Sequence, residues 1–309
     1  MNKKCLVTGG AGFIASHLVD KLLEKGCDVA IIDNLSTGKK ENLNPKADFY
    51  NFDIQDSEIS GIFEKVKPEI VFHYAAQIDV RKSVDDPAES AKTNILGSLN
   101  ILENCKKYGV KKIIFASSGG AIYGEADVVP TPESYSPQPV SPYGIEKFVF
   151  EHYLYFYKKE YGLDYLILRF ANIYGPRQNS KGEAGVIAIF CDKIMRKEKV
   201  VINGDGNQTR DFVFVEDVIN ANILGIEKNK SGIFNVGTSK ETNVNDIFHE
   251  LNKVFGLKAQ EIHGPQKAGE QKRSCLDFVK IKKELGWEPK YDIGSGLFKT
   301  QKWFKENFK

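Results

Sequence analysis

Apolar and polar positions along this chain follow two periods in turn. The short runs Cys5-Leu6-Val7-Thr8, Val29-Ala30-Ile31-Ile32 and Ile113-Ile114-Phe115-Ala116 read as strands buried on both faces, and the stretches between them carry apolar residues at helical spacing. The pattern predicts strands at 5–8, 29–32, 48–52 and 70–75, with a helix after the first and another over 57–66. It then predicts a long helix over 91–108 built on Ile95, Leu99 and Leu102 and stopped by Gly109, a strand at 113–116, a helix over 143–161 and a strand at 166–170. Strands alternating with crossover helices form a parallel sheet covered on both faces, so the predicted class is α/β with a doubly wound parallel sheet. Beyond Asn172 the loops lengthen and the elements shorten, which predicts a smaller C-terminal α/β lobe. The expected domains are 1–171 and 172–309, with 211–238 returning to the first.

The first strand runs into Gly9-Gly10-Ala11-Gly12-Phe13-Ile14-Ala15. Gly9 suits a tight turn, Gly12 lets backbone approach a pyrophosphate, and Ala15 lets the following helix lie close on the strand. The free N–H groups at that helix start favour an anion, so a dinucleotide is the expected ligand of a Rossmann-type fold. The second strand ends in Asp33, where a carboxylate accepts hydrogen bonds from an adenosine ribose and repels a 2′-phosphate. NAD is therefore expected over NADP.

Composition narrows the class. With 309 residues and 41% hydrophobic content the chain suits about two domains. A formal net charge of +2, from 43 basic and 41 acidic residues, gives no reason to expect nucleic acid or a membrane surface as partner. No charged-then-apolar leader precedes Gly9 and no apolar segment approaches the ~20 residues of a membrane span, so a cytoplasmic location is expected. The five cysteines are scattered and never form a Cys-x-x-Cys pair, and the five histidines are scattered too. Reduced thiols and no metal site are the expectation.

A second constellation begins with Ser117-Ser118 at a strand end and continues about 25 residues later as Ser141-Pro142-Tyr143-Gly144-Ile145-Glu146-Lys147. Tyr143 and Lys147, four apart on a helix, share a face, where the ammonium stabilises a phenolate. Tyr108/Lys112 and Tyr155/Lys159 have the same spacing. Tyr143 differs by lying at a helix start downstream of strand-end hydroxyls, where open α/β sheets bind ligands.

With these motifs the chain resembles the UDP-glucose (UDP-galactose) 4-epimerase family of the extended short-chain dehydrogenase/reductase superfamily. The resemblance runs through Thr8 to Ile14, Asp33-Asn34-Leu35-Ser36-Thr37-Gly38, His73-Tyr74-Ala75-Ala76-Gln77, Ser117-Ser118, Tyr143/Lys147, Arg169 to Gln178, Gly204-Asp205-Gly206, Arg210-Asp211-Phe212 and Asn235-Val236-Gly237-Thr238. It implies NAD along Gly9, Gly12, Phe13, Ile14, Asp33, Asn34, Ser36, Thr37 and Gly38. It further implies Asp53 and Ile54 at the adenine, Ala75, Ala76 and Gln77 along the cofactor, and Asn94 near its ribose or phosphates. Asn172, Arg210, Lys267 and Glu270 would hold the UDP part of a UDP-sugar substrate. Tyr143 would take the proton of the sugar 4-hydroxyl as hydride leaves C4 for NAD, aided by Ser118 or, as the alternative, Ser117. The 4-keto sugar would then turn over and take the hydride back on its other face.

Two positions depart from the family pattern: Lys267 stands where Arg is usual, and Gly119-Gly120 lengthen the loop after Ser118. The same glycines occupy the places where a dehydratase of this fold carries its Asp-Glu acid and base. Another UDP-sugar, a uronic acid or a pentose, is an alternative substrate, and a non-catalytic NAD-sensing protein is the alternative from a different class. The resemblance also implies a homodimer through the helices over 91–108 and 143–161, where Leu96, Leu99, Phe148, Tyr155 and Phe156 offer apolar surface. It places Ser274 beside the 2-position of the hexose, leaving room for an N-acetyl group.

Overall fold

The computed structural model describes residues 2–181, 185–266 and 271–308, and the chain divides into two compact units. Unit 1 comprises Met1–Ile122, Pro139–Arg169 and Ile219–Phe234, and unit 2 comprises Tyr123–Gln138, Phe170–Val218 and Asn235–Lys309.

In chain order the first part runs β1 (Lys4–Thr8), α1 (Phe13–Glu24), β2 (Asp28–Ile32), β3 (Asp48–Tyr50), α2 (Ile59–Val66), β4 (Ile70–His73), α3 (Val80–Asp85) and α4 (Pro87–Ala91). A π-helical turn (Lys92–Gly97), α5 (Ser98–Lys107), β5 (Lys112–Ser118), α6 (Gly119–Tyr123), α7 (Pro142–Tyr161) and β6 (Asp164–Phe170) follow. The rest is β7 (Asn172–Tyr174), α8 (Val186–Met195), β8 (Ile202–Asn203), β9 (Thr209–Arg210), β10 (Phe212–Phe214), α9 (Val215–Glu227) and β11 (Gly232–Val236). After it come β12 (Thr242–Asn243), α10 (Val244–Phe255), β13 (His263–Gly264), β14 (Arg273–Ser274), α11 (Val279–Leu285) and α12 (Ile293–Asn307).

The main sheet has the order β11-β6-β5-β4-β1-β2-β3. β1 pairs in parallel with both β2 and β4, so the strand order reverses at β1 and opens a crevice beyond the carboxyl ends of β1 and β4. One face of the sheet carries a core in which Leu6, Ile32, Val71, Ile113 and Phe115 meet Phe63, Ile101, Leu102, Phe150 and Leu154 from the helices. The long helix expected over 91–108 runs on from α4 through the π-helical turn into α5, and that turn adds a residue and brings Asn94 inward. α7 starts where Ser141 Oγ accepts the Gly144 N–H (3.2 Å) with Pro142 in its first turn, and it ends at Gly162 with φ +72°.

Unit 2 is built from short sheets: β10 on β7, β12-β9-β14, and β13 on β8. Tyr174 packs edge-on against Phe212 and Phe214, Phe190 against Phe248, and the buried Trp287 gives its Nε1 proton to Asp217 O (2.9 Å). The division differs in two places from a single cut after 171. Residues 123–138 go with unit 2, because Tyr123 donates to Asn235 Oδ1 (2.9 Å) and Thr131 bridges to Leu276. The returning segment in unit 1 is 219–234, where Ser231 Oγ bonds Asp164. Among the described residues no helix is long and apolar enough to cross a membrane.

Candidate active site

At the end of β1 the chain turns at Gly9, whose φ is +74°. A Cβ there would lie 2.7 Å from Ala75 N, so both the conformation and the approach of the strand after β4 require glycine. Thr8 Oγ1 lies 2.8 Å from His73 Nδ1 and accepts the Ala75 N–H (3.1 Å), which locks the two strand ends together. Gly12 caps α1 with no side-chain bond, and no acidic residue occupies the first turn. The helix start thus presents its N–H groups, including those near Phe13 and Ile14, to an anion.

Asp33 closes the β2 edge of the crevice. Its Oδ2 accepts the Ala11 N–H (2.9 Å) and its Oδ1 the Leu35 N–H (2.8 Å). The carboxylate is therefore oriented by main chain and keeps lone pairs for a further donor. Asn34 Nδ2 donates to Asp53 Oδ2 (2.6 Å), Asn34 Oδ1 accepts the Ser36 N–H (2.9 Å), and Gly38 lets its loop lie against Ala11 and Asp33. Thr37 is exposed and Ile54 is buried. These groups fit the adenosine half of a dinucleotide: a fixed acceptor beside an anion-receiving helix start, with no basic side chain among them. Gln77 and Asn94 are spent internally, since Gln77 N–H donates to Asn94 Oδ1 (2.8 Å) and Gln77 Nε2 to Asp79 O (3.0 Å). Ala76 follows Ala75 in the same partly buried strand exit.

Tyr143, Lys147 and Glu151 stand at successive turns on one face of α7, toward the end of β5. Gly144 allows this, because a Cβ there would lie 2.5 Å from Ala121 O. The Tyr143 N–H donates to Ser83 Oγ (3.1 Å). Lys147 Nζ donates to Ala116 O (3.0 Å) and sits 5.7 Å from the Tyr143 ring centre. Burial, and then the Glu146 carboxylate, push the Tyr143 phenol above its ordinary range. Burial lowers the Lys147 ammonium to about 8, against the opposing pull of Glu146 and Glu151.

The two strand-end serines differ in what they touch. Ser117 is buried and its Oγ donates to Glu151 Oε1 (2.6 Å), while Arg169 forks onto the same carboxylate through Nε (3.0 Å) and Nη2 (2.5 Å). Ser118 is half-buried, and its Oγ accepts only a long bond from Ala121 N (3.3 Å). Glu146, Glu151 and Ser90 had no role in the sequence reading. Buried polar residues at helical spacing around Lys147 were the signal available.

Unit 2 contains a cavity of about 370 Å3. Val186, Ile189, Phe190 and Phe212 supply apolar walls, Asn172, Asn203 and Gln208 supply carboxamides, and Arg210 and Lys193 supply the charge. No carboxylate is among its described lining residues, which favours an anionic ligand with a flat apolar part. Asn172 and Arg210 were named from sequence, whereas Lys193, Asn203 and Gln208 were not; the lining of a cavity by short strands leaves no periodic trace. Ser274 pairs in register with Arg210 between β14 and β9. Lys267 and Glu270 lie outside the described residues. Among the described residues no cluster of three or more His, Cys, Asp or Glu stands ready to hold a metal.

Known proteins share this arrangement. The NAD dependent epimerase/dehydratase family matches residues 5–237. A UDP-glucose 4-epimerase of Mycolicibacterium smegmatis is 40% identical over 308 residues, 98% of each chain. The crystal structure of a UDP-glucose 4-epimerase from Thermotoga maritima with UDP-glucose superposes with a TM-score of 0.97 at 52% identity, covering all of both chains. A UDP-N-acetylglucosamine 4-epimerase from Methanobrevibacter ruminantium in complex with UDP-N-acetylmuramic acid gives 0.94 at 37% identity over 99% of each. The chain belongs to the NAD dependent epimerase/dehydratase family and, within that family, to the UDP-glucose 4-epimerases of the extended short-chain dehydrogenase/reductase superfamily.

Proposed function

We propose that this protein inverts C4 of a UDP-hexose through a transient 4-keto sugar, using bound NAD. The observation that carries the reading is the Tyr143–Lys147 face of α7, set against the end of β5 by the Lys147 bond to Ala116 O. Tyr143 Oη takes the proton of the sugar 4-hydroxyl and returns it when the keto group is reduced. Lys147 supplies the nearby positive charge that makes a phenolate tenable. Ser118 is the better donor to the sugar oxygen, because the Ser117 hydroxyl is committed to Glu151. NAD, when bound, accepts the hydride from C4 and gives it back, and Gly9, Gly12, Asp33 and the α1 N–H groups are the residues that hold it.

Asn172 and Arg210 line the cavity that takes the uridine diphosphate. Gly119 and Gly120 carry no acid or base, which disfavours elimination of water. Partly buried Ser274 beside Arg210, together with a UDP-N-acetylglucosamine 4-epimerase among the structural neighbours, supports activity on the acetylated pair as well. The five cysteines are buried and unpaired, which suits a reducing cytoplasm.

The test is incubation with UDP-galactose and chromatography of the nucleotide sugars. Tyr143→Phe is expected to keep its fold and NAD binding and to lose at least ~100-fold in turnover. A variant with more than half of wild-type activity removes Tyr143 from the mechanism.

A further inference from the structure

Glu146 lies beside Lys147 in sequence and is 3% exposed. Its Oε2 accepts from Ser90 Oγ (2.8 Å) and from Asn94 Nδ2 (2.6 Å). The Asn94 amide cannot face otherwise, because its Oδ1 must accept the Gln77 N–H (2.8 Å) and its Nδ2 also serves Gln77 O (2.9 Å). Three elements, α4, the π-helical turn and α7, thus hold one buried carboxylate with neutral donors alone. Such donors stabilise the charge without cancelling its field.

Among the described residues, several charged groups near Tyr143 are paired, neutral or open to water. On α7, Glu151 is forked by Arg169 of β6, so those two charges offset each other in contact. From β4, burial and the Lys147 charge bring His73 down to about 3, which leaves it neutral. Arg81, Lys82 and Asp85 of α3, Glu89 of α4 and Lys92 of the π-helical turn are exposed and screened by water. Glu146 and Lys147 follow Tyr143 by three and four residues on α7, and beside the larger effect of burial their charges act on the phenol in opposite senses.

We propose that Glu146, fixed by Ser90 and Asn94 one turn after Tyr143 on α7, is a positioning residue of the reaction whose carboxylate adds to burial in opposing ionisation of Tyr143 until a further positive charge enters the site. This rests on the reading of Tyr143 as the base, and its test does not depend on turnover. A phenolate would add a second negative charge beside Glu146, and the oxidised nicotinamide is the cation that offsets it. Loss of the carboxylate should therefore let Tyr143 ionise at lower pH, and it should release the Lys147 proton at lower pH as well.

The experiment is a titration of the near-ultraviolet tyrosinate absorbance of the NAD-free and NAD-loaded protein, with the Tyr143→Phe signal subtracted. Glu146→Gln, which keeps an oxygen for Ser90 and Asn94, is expected to move the Tyr143 transition down by about 1 pH unit, whereas Glu146→Asp, which keeps the charge, leaves it near wild type. Both limbs of the bell-shaped rate profile should move toward acid in Glu146→Gln. Where Glu146→Gln does not fold, the smaller and equally neutral Glu146→Ser is expected to give the same downward move. A transition that stays in place in the neutral variants, with only the melting temperature lowered, overturns the proposal. An unmoved transition with intact epimerisation still leaves Tyr143 as the base.

Discussion

Asp33 shows how much one side chain decides. Both of its oxygens are already oriented by the Ala11 and Leu35 N–H groups, so the carboxylate cannot swing away from a second negative charge. Two unit charges about 4 Å apart cost about 1 kcal/mol in bulk water and about 4 kcal/mol near a protein surface, and because Asp33 is buried the cost lies toward the second figure, more than tenfold in affinity. The protein is therefore expected to bind NAD at least ~10-fold more tightly than NADP in a fluorescence titration at physiological salt. Equal affinities would remove Asp33 as the selector. Ser274 poses a similar question for the sugar. Arg273 before it is turned to Glu241 (2.6 Å), and Cys275 after it is buried with its thiol toward Asp211, so neither neighbour is available to wall the hexose. Placing a bulky ring there costs ~1–3 kcal/mol against an N-acetyl group. Ser274→Tyr should lose 10- to 100-fold in kcat/KM on UDP-GlcNAc/UDP-GalNAc and keep UDP-glucose/UDP-galactose, whereas equal losses on both pairs would show that position 274 is no gate.

At the scale of the element, α7 carries the proposed base, its lysine partner and a buried ion pair. The Lys147 ammonium works when protonated, so its folded value of about 8 sets the alkaline limit: activity is present below it and falls as pH rises through it. A rate profile that stays flat to pH 10 would deny Lys147 a charged role. One turn further on, Glu151 and Arg169 are both 3% exposed. Arg169→Met strands a buried carboxylate and should cost about 3–5 kcal/mol in denaturant unfolding, most of it recovered when Glu151→Gln is added. Full additivity of the two losses would show that the pair is not coupled. The extent of α7 and its start after Pro142 were legible in the sequence, as were the buried strands β1, β2 and β5. The π-helical turn before α5 was not, because it leaves Ile95, Leu99 and Leu102 at ordinary spacing while moving Asn94 inward. The partners of Ser117 and Asn94 were equally hidden, since they come from elements distant in sequence.

For the whole molecule the open question is what covers the outer faces of the π-helical turn before α5 and of α7. Leu99 packs against the core, but Leu96 is 59% exposed, Tyr155 54% and Phe156 47%, so these side chains do not belong to the interior. Ile145 (47%) and Tyr161 (46%) extend the same exposure along α7. A monomer rarely leaves so many large apolar groups open on its helices, and a second copy of the same face is self-complementary under two-fold symmetry. The protein is therefore expected to be a homodimer, with a light-scattering mass twice the 34.7 kDa of the chain at micromolar concentration. Phe156→Lys, paired with Leu96→Glu, places charges at the centre of that surface without touching Tyr143 or Lys147. The double variant should run at the monomer mass while retaining the NAD preference of the wild type. A wild-type protein that already runs at the monomer mass would show that these residues are tolerated in water, and the dimer would be abandoned.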